Sequence, residues 1–470
     1  MLMRGQIPGR SRSKMPLLKK LFWLYFLLLI FEGALRKWVL PGLSAPLLLV
    51  RDPVAILIIF EAYRTDKWPQ RWSVVTGILA CAFLGLCALQ VMLGDNSWIA
   101  AVYGLRSYLL PFPVAFIMGE NLDAEDLRKF GTVTLWIMLP LVALEVAQYL
   151  APQGSILNAG AYRGAGQIYY VEQHVRASGT FSFVAGPTFY NAIAGAFLLY
   201  GLLNEKFANK WLLWAAASAL VLSVPMIGSR TLVAELAGVA ICAGIATILG
   251  ASQFIKVVKV AFPLLAVYFL ISLLPVFSVA SQSLRSRSVN AYTTEGGMRQ
   301  AMEERTFGSI IVAIVKTDFA ENPIGIGMGR GAAAVSALAT GRVQFIAGEY
   351  EFIREMTELG SFPGIVFSLF RFLLALSLTF SAIKCAQRQE PLALLLVTSL
   401  FATLCFGTLE QPTDQGFMVI CMAFSIAAIR RSGIGVADKS TRSAGVAPPG
   451  PMGPGRRIQA RPGWGSVGPG

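Results

Sequence analysis

Apolar residues run in long stretches along this chain, and the polar junctions between them alternate in kind. Every second junction is a basic cluster, while the others are mixed or carry arginine as their cation. A helix needs roughly 20 apolar residues to cross the hydrocarbon core of a bilayer. The pattern predicts twelve spans, near 17–33, 46–62, 74–93, 98–118, 131–150, 182–203, 211–227, 231–249, 258–280, 359–383, 391–409 and 416–430. The expected fold is an all-α polytopic membrane protein of about 12 transmembrane helices, with a large outer loop, 281–358, between spans 9 and 10. Within that loop Phe307, Ile310, Ile311, Ile314 and Val315 recur at helical spacing, which predicts an amphipathic helix lying on the membrane surface.

Orientation follows from charge. Arg4, Arg10, Arg12, Lys14, Lys19 and Lys20 precede or open the first span. Basic residues recur at Arg64/Lys67/Arg71, Arg128/Lys129, Lys206/Lys210, Lys256/Lys259, Lys384/Arg388 and Arg430/Arg431. The positive-inside rule puts these junctions and both termini in the cytoplasm. Residues 1–16 are then a basic cytoplasmic N-terminus, and Leu17–Phe31 reads as a retained signal anchor. Residues 17–280 form a membrane domain of spans 1–9, 281–358 the periplasmic loop, and 359–430 the last three spans. The segment 431–470 is rich in Gly, Pro, Ser and Arg; it lacks the apolar content for a core and is expected to be a disordered cytoplasmic tail.

Composition narrows the function. Hydrophobic residues make up 55% of the chain and charged residues 14%, which excludes an ordinary soluble domain. The net charge of +14 suggests nucleic acid on a naive reading, but its placement assigns it to membrane orientation, so no nucleic-acid partner is expected. On the outer side the basic residues are arginines except Lys37 and Lys316. The guanidinium fork matches phosphate oxygens as an ammonium does not, so this bias points to a phosphate or pyrophosphate ligand. Weaker hydration of arginine at a membrane interface is the competing explanation. The six cysteines lie in spans or at the inner face, with no CxxC spacing, and one histidine excludes a His-based metal site; no cofactor is expected. Arg51, Asp52, Arg106, Glu145 and Glu235 all fall in the outer halves of spans. Charges there are costly, about 2.5–3.5 kcal/mol at a helix centre, and their shared depth suggests a polar cavity opening outward. Arg51 and Asp52 are adjacent and able to neutralise one another. Arg371 sits deeper, with no partner evident in the sequence.

Gly228-Ser229-Arg230-Thr231, Arg305 with Pro323–Gly327, Glu349 with Glu358 and Gly360, and Phe31–Trp38, taken together and in this topology, resemble the bacterial O-antigen ligase and O-antigen (exopolysaccharide) polymerase superfamily of membrane glycosyltransferases. Gly228-Ser229-Arg230-Thr231 matches a Ser-Arg pair opening a mid-chain span. Arg305 precedes the surface helix, which ends at Pro323-Ile324-Gly325-Ile326-Gly327. Glu358 and Gly360 match a later Glu and Gly, which puts Glu349 at the position where ligases carry a histidine. Phe31-Glu32-Gly33-Ala34-Leu35-Arg36-Lys37-Trp38 is similar to a branch of exopolysaccharide polymerases. The glycine run from Gly325 to Gly331 is a weak signal by itself, because no strand precedes it.

The resemblance implies transfer of a glycan from an isoprenyl-pyrophosphate carrier to an acceptor hydroxyl, at the outer face of the bacterial inner membrane, with inversion and without a metal. Arg230, Arg305 and Arg176 are the candidates for binding the pyrophosphate, and Glu349 for the catalytic base, with Glu351 replacing it if the register slips by two. His174, Arg163 and Arg106 are further candidates; Arg163 and Arg176 flank the single histidine. An unperturbed glutamate, with a pKa of about 4.3, is a weaker base than a histidine, which favours a polymerase-like member over a ligase. The partners implied are the lipid-linked oligosaccharide, a glycan or lipid acceptor, membrane lipids and other polysaccharide-assembly proteins. Two other classes fit many spans: a transporter of polysaccharide or lipid-linked glycan, which would be expected to show repeated halves with broken helices, and a non-catalytic assembly partner, which would tolerate loss of Arg230 and Arg305.

Overall fold

In the computed structural model, the residues described are 16–94, 96–161, 170–171, 174–204, 206–249, 264–294, 323–332, 335 and 351–432. The described chain is a bundle of helices with one small hairpin. Helix α1 is Leu17–Ala34, followed by a π turn at Leu35–Val39 and two 3-10 turns; α2 is Arg51–Arg64 and α3 Gln70–Met92. Then come α4 (Trp98–Tyr108), α5 (Pro111–Asn121) and α6 (Ala124–Leu150). Strands β1 (Tyr170–Val171) and β2 (His174–Val175) pair antiparallel, with Val171 opposite His174. Helices α7 (Ala185–Leu203), α8 (Lys210–Ile227) and α9 (Arg230–Leu249) follow. Next are α10 (Leu264–Ser272), α11 (Pro275–Thr294), α12 (Glu351–Leu359) and α13 (Ser361–Gln387). The last three are α14 (Leu392–Leu395), α15 (Val397–Cys405) and α16 (Pro412–Arg431).

Among the described residues, seven helices are long and apolar enough to cross a membrane, or eight if the bent pair α10–α11 is one span. The pattern of apolar stretches alone suggests a more regular arrangement. Expected span 46–62 is delivered as a 3-10 turn and a 14-residue helix, because Pro41 and Pro46 break the approach. The stretch 258–280, where described, bends by 96° at Pro275. The stretch 391–409 contains two helices of 4 and 9 residues, with Thr398 pressed against Gly238 of α9.

The core is centred on α16, whose apolar side chains are buried almost throughout. Phe424 meets Phe26, Phe130 and Phe197, and Trp23 stacks on Phe130 with ring centroids 3.9 Å apart. Polar contacts sort to two ends of the bundle. At one end Lys19 bonds Asp123 of the capping box that starts α6, Arg128 reaches the Phe207 carbonyl, and Arg430 pairs with Glu120 at 3.0 Å. At the other end lie the charged residues of the candidate site.

Candidate functional site

The turn between α8 and α9 is built by its own sequence. Gly228 takes φ +59°, the left-handed conformation that ends α8 at little steric cost. Ser229 then caps the next helix, its Oγ accepting from the Leu232 amide at 3.3 Å, so Arg230 becomes the first residue of α9. The Gly-Ser-Arg motif is thus a helix stop followed by a helix start.

Residues 174–182 form a strap docked against this turn. The Ala177 amide donates to the Met226 carbonyl at 3.2 Å, and Arg176 Nε donates to the Ile227 carbonyl at 3.1 Å. Both bonds satisfy carbonyls that the end of α8 leaves without helical partners. His174 stacks on Tyr149, ring centroids 4.4 Å apart, and its Nδ1 lies 3.2 Å from the Tyr149 carbonyl oxygen. A carbonyl only accepts, so Nδ1 is the donor in this contact. Tyr149, His174, Arg176, Pro225, Gly228 and Ser283 line a narrow cleft at this point. Its walls come from α6, the strap, α8 and α11, so the structure gathers His174 and Arg176 at the turn that starts with Gly228 and ends with Arg230.

The other candidate residues are placed differently. Arg163, Arg305 and Glu349 lie outside the described residues. Arg106 is buried and pairs with Asp52 at 2.6 Å, with its guanidinium over the Tyr103 ring. The adjacent pair expected from the sequence does not form: Arg51 turns instead to Glu32 at 3.0 Å and to the Pro412 carbonyl. Glu351 belongs to a buried charged network, where its Oε1 accepts from Arg354 at 2.7 Å and from the Leu409 amide at 3.0 Å. Arg371 finds its partners there too: Glu355, the Leu404 carbonyl at 2.6 Å and the Gly407 carbonyl at 2.9 Å. Arg354 also bonds Glu410 at 2.8 Å, which ties α12 to the loop before α16.

The glycine run proves to be a packing device. Glu358 accepts from the amides of Gly329 at 2.9 Å and Gly331 at 3.0 Å, and from the Tyr108 hydroxyl at 2.8 Å. Burial pushes the Glu358 carboxyl up, against the Arg354 charge and the Gly329 and Tyr108 bonds. The loop amides that could cradle a phosphate are therefore occupied by the chain's own carboxyl group. Gln90 completes the dock, donating to the carbonyls of Ile324 and Glu358 and accepting from the Met328 amide.

Sequence reasoning passed over the residues that hold the strap. Gln148 Oε1 accepts from the amides of Ser178 at 3.1 Å and Gly179 at 2.8 Å. Lys37 Nζ donates to Ser178 Oγ, and Arg36 Nη1 to Ser182 Oγ at 2.8 Å. The Phe31–Trp38 motif was the available signal, since charges beside an apolar stretch need partners.

No family model, curated protein or solved structure matches the chain. The described helices make an α-helical protein compatible with the polytopic membrane class, with a narrow cleft at one end of its bundle.

Proposed function

We propose that the chain is a membrane glycosyltransferase of the O-antigen/exopolysaccharide polymerase type. It moves a glycan from an isoprenyl-pyrophosphate carrier to an acceptor hydroxyl at the outer face of the bacterial inner membrane, with both termini in the cytoplasm. The observation that carries this reading is the docking of the His174–Arg176 strap on the Gly228–Arg230 turn. It brings Arg176 to the last carbonyl of α8, three residues before Arg230 opens α9, at a helix start where the backbone dipole favours an anion.

In the reaction the acceptor oxygen attacks the anomeric carbon as the bond from that carbon to the pyrophosphate oxygen breaks. The lipid pyrophosphate leaves with the bonding pair, and Arg176 and Arg230, with Arg305, stabilise its charge. The acceptor proton passes to a base. Glu349 is the base that the family resemblance implies, and His174 Nε2 is the proton acceptor that the cleft itself offers.

The test uses purified chain in lipid with a lipid-pyrophosphate oligosaccharide pool from its host. Release of isoprenyl pyrophosphate is followed for the native chain and for Arg230→Ala, Arg305→Ala, Arg176→Ala, Glu349→Gln and His174→Gln. Release coupled to longer glycans, and lost in the arginine variants, is the expected result; transfer to a single lipid or protein acceptor would make it a ligase. A second reading, transport of lipid-linked glycan, draws on Glu145 and Glu235, buried carboxyls that face Asn191 and Ser399 and have no ion-pair partner among the described residues. Glycan crossing the bilayer without pyrophosphate release would favour it.

A further inference from the structure

We infer that Lys37 is a positioning residue for the cleft: its Nζ, bonded to Ser178 Oγ and the Gly179 carbonyl, fixes the strap that carries His174 and Arg176. The inference rests on the cleft being the place of reaction. Lys37 and Ser178 are 5% and 3% exposed. The two bonds are 2.6 Å and 3.3 Å long, and both end on the strap.

Among the described residues no carboxylate lies within ion-pair distance of Lys37. Glu32, the nearest acid in its own segment, is engaged by Arg36 and Arg51. An ammonium buried without a counter-ion is expensive, and an apolar side chain of similar length in such a place is commonly neutral or stabilising. Packing therefore gives no reason for a lysine here. The direction of its bonds does. Thr180 Oγ1 donates to the Ile30 carbonyl at 2.6 Å and Arg36 holds Ser182, so the far half of the strap is already tied to the same segment. Gly33 allows that approach, since a Cβ there would fall 2.3 Å from the Ser182 amide nitrogen. Lys37 joins Gln148 in tying the near half, and its Ser178 contact lies two residues from Arg176. Burial, with the Arg36 charge adding to it, pushes the Lys37 ammonium down to about 7. Near neutrality the amine is thus present in both forms, each able to bond the serine hydroxyl.

The experiment compares the native chain with Lys37→Met and Ser178→Ala in lipid, by melting temperature, amide exchange and pyrophosphate release. For Lys37→Met the expected result is an unchanged or higher melting temperature and faster exchange confined to 174–182. The kcat should fall about tenfold or more while the KM for the lipid-linked donor moves little. Ser178→Ala should reproduce the local exchange while keeping the buried amine. A lower melting temperature with faster exchange throughout the bundle would make Lys37 a structural residue and overturn the inference. Unchanged exchange at 174–182 in both variants would overturn it as well. Local exchange that rises in a chain whose native form releases no pyrophosphate would leave the strap's anchoring intact and remove the proposed reaction.

Discussion

Arg230 and Arg176 reach the same turn by different routes, one as the first residue of α9 and the other across a strap bonded to the Ile227 carbonyl. If they hold the leaving pyrophosphate, Arg230→Ala lowers the initial rate of release about 10²–10³-fold, the range found when one preorganised donor is removed. Arg230→Lys restores only part of it, because a point charge does not reproduce the fork. Lys37 makes a prediction of another kind. Its ordinary pKa is 10.5 and burial lowers it to about 7. Between those values the unfolded amine binds more protons than the folded one, so stability rises with pH across that window. Arg36 is the charged neighbour that adds to the shift, while the groups it bonds on the strap, Ser178 and Gly179, are uncharged. Denaturation of the native chain and Lys37→Met at several pH values checks this: the variant should lose that part of the slope.

At the scale of elements, the glycine run and α12 form one unit. Gly325 and Gly360 take φ +82° and +96°, and each packs backbone to backbone. A Cβ on Gly325 would lie 2.4 Å from the Glu358 carbonyl oxygen, and one on Gly360 2.3 Å from the Pro323 carbonyl oxygen. Gly360→Ala should therefore destabilise by at least the cost of such backbone strain, about 1–3 kcal/mol, with faster amide exchange over 323–332. Glu358→Gln tests the same unit from the other side. One side-chain oxygen replaces two, so a buried amide of Gly329 or Gly331 loses its acceptor, at about 1–3 kcal/mol. A melting temperature equal to the native value would refute that account. The stretches expected as spans 2 and 11 show what period and length leave out. Both are apolar enough, yet prolines before α2 and the seating of Thr398 on Gly238 break them into short pieces. The Gly-Ser-Arg turn was legible, because a left-handed stop and an N-cap are local preferences.

For the whole molecule, helices run back and forth so that the clusters around Lys67, Arg128, Lys206 and Arg430 share one end and the cleft lies at the other. Thiol labelling checks the orientation: Gly154→Cys should react with an impermeant reagent in intact cells, and Arg388→Cys only in inverted vesicles. Labelling of both from one side would break the assignment. The lengths of the apolar stretches were enough to point to the membrane class, since the bilayer acts on each segment separately through its hydrocarbon thickness, while the spacing of basic residues carries the orientation as a proposal. Partner choice in the interior is not a property of any segment. Arg51 bonds Glu32 rather than its neighbour Asp52, Asp52 takes Arg106, and His174 meets Tyr149, because packing decides which charges and carbonyls face each other. In a low-dielectric core those pairings are costly to leave unmade, so only the folded bundle selects them.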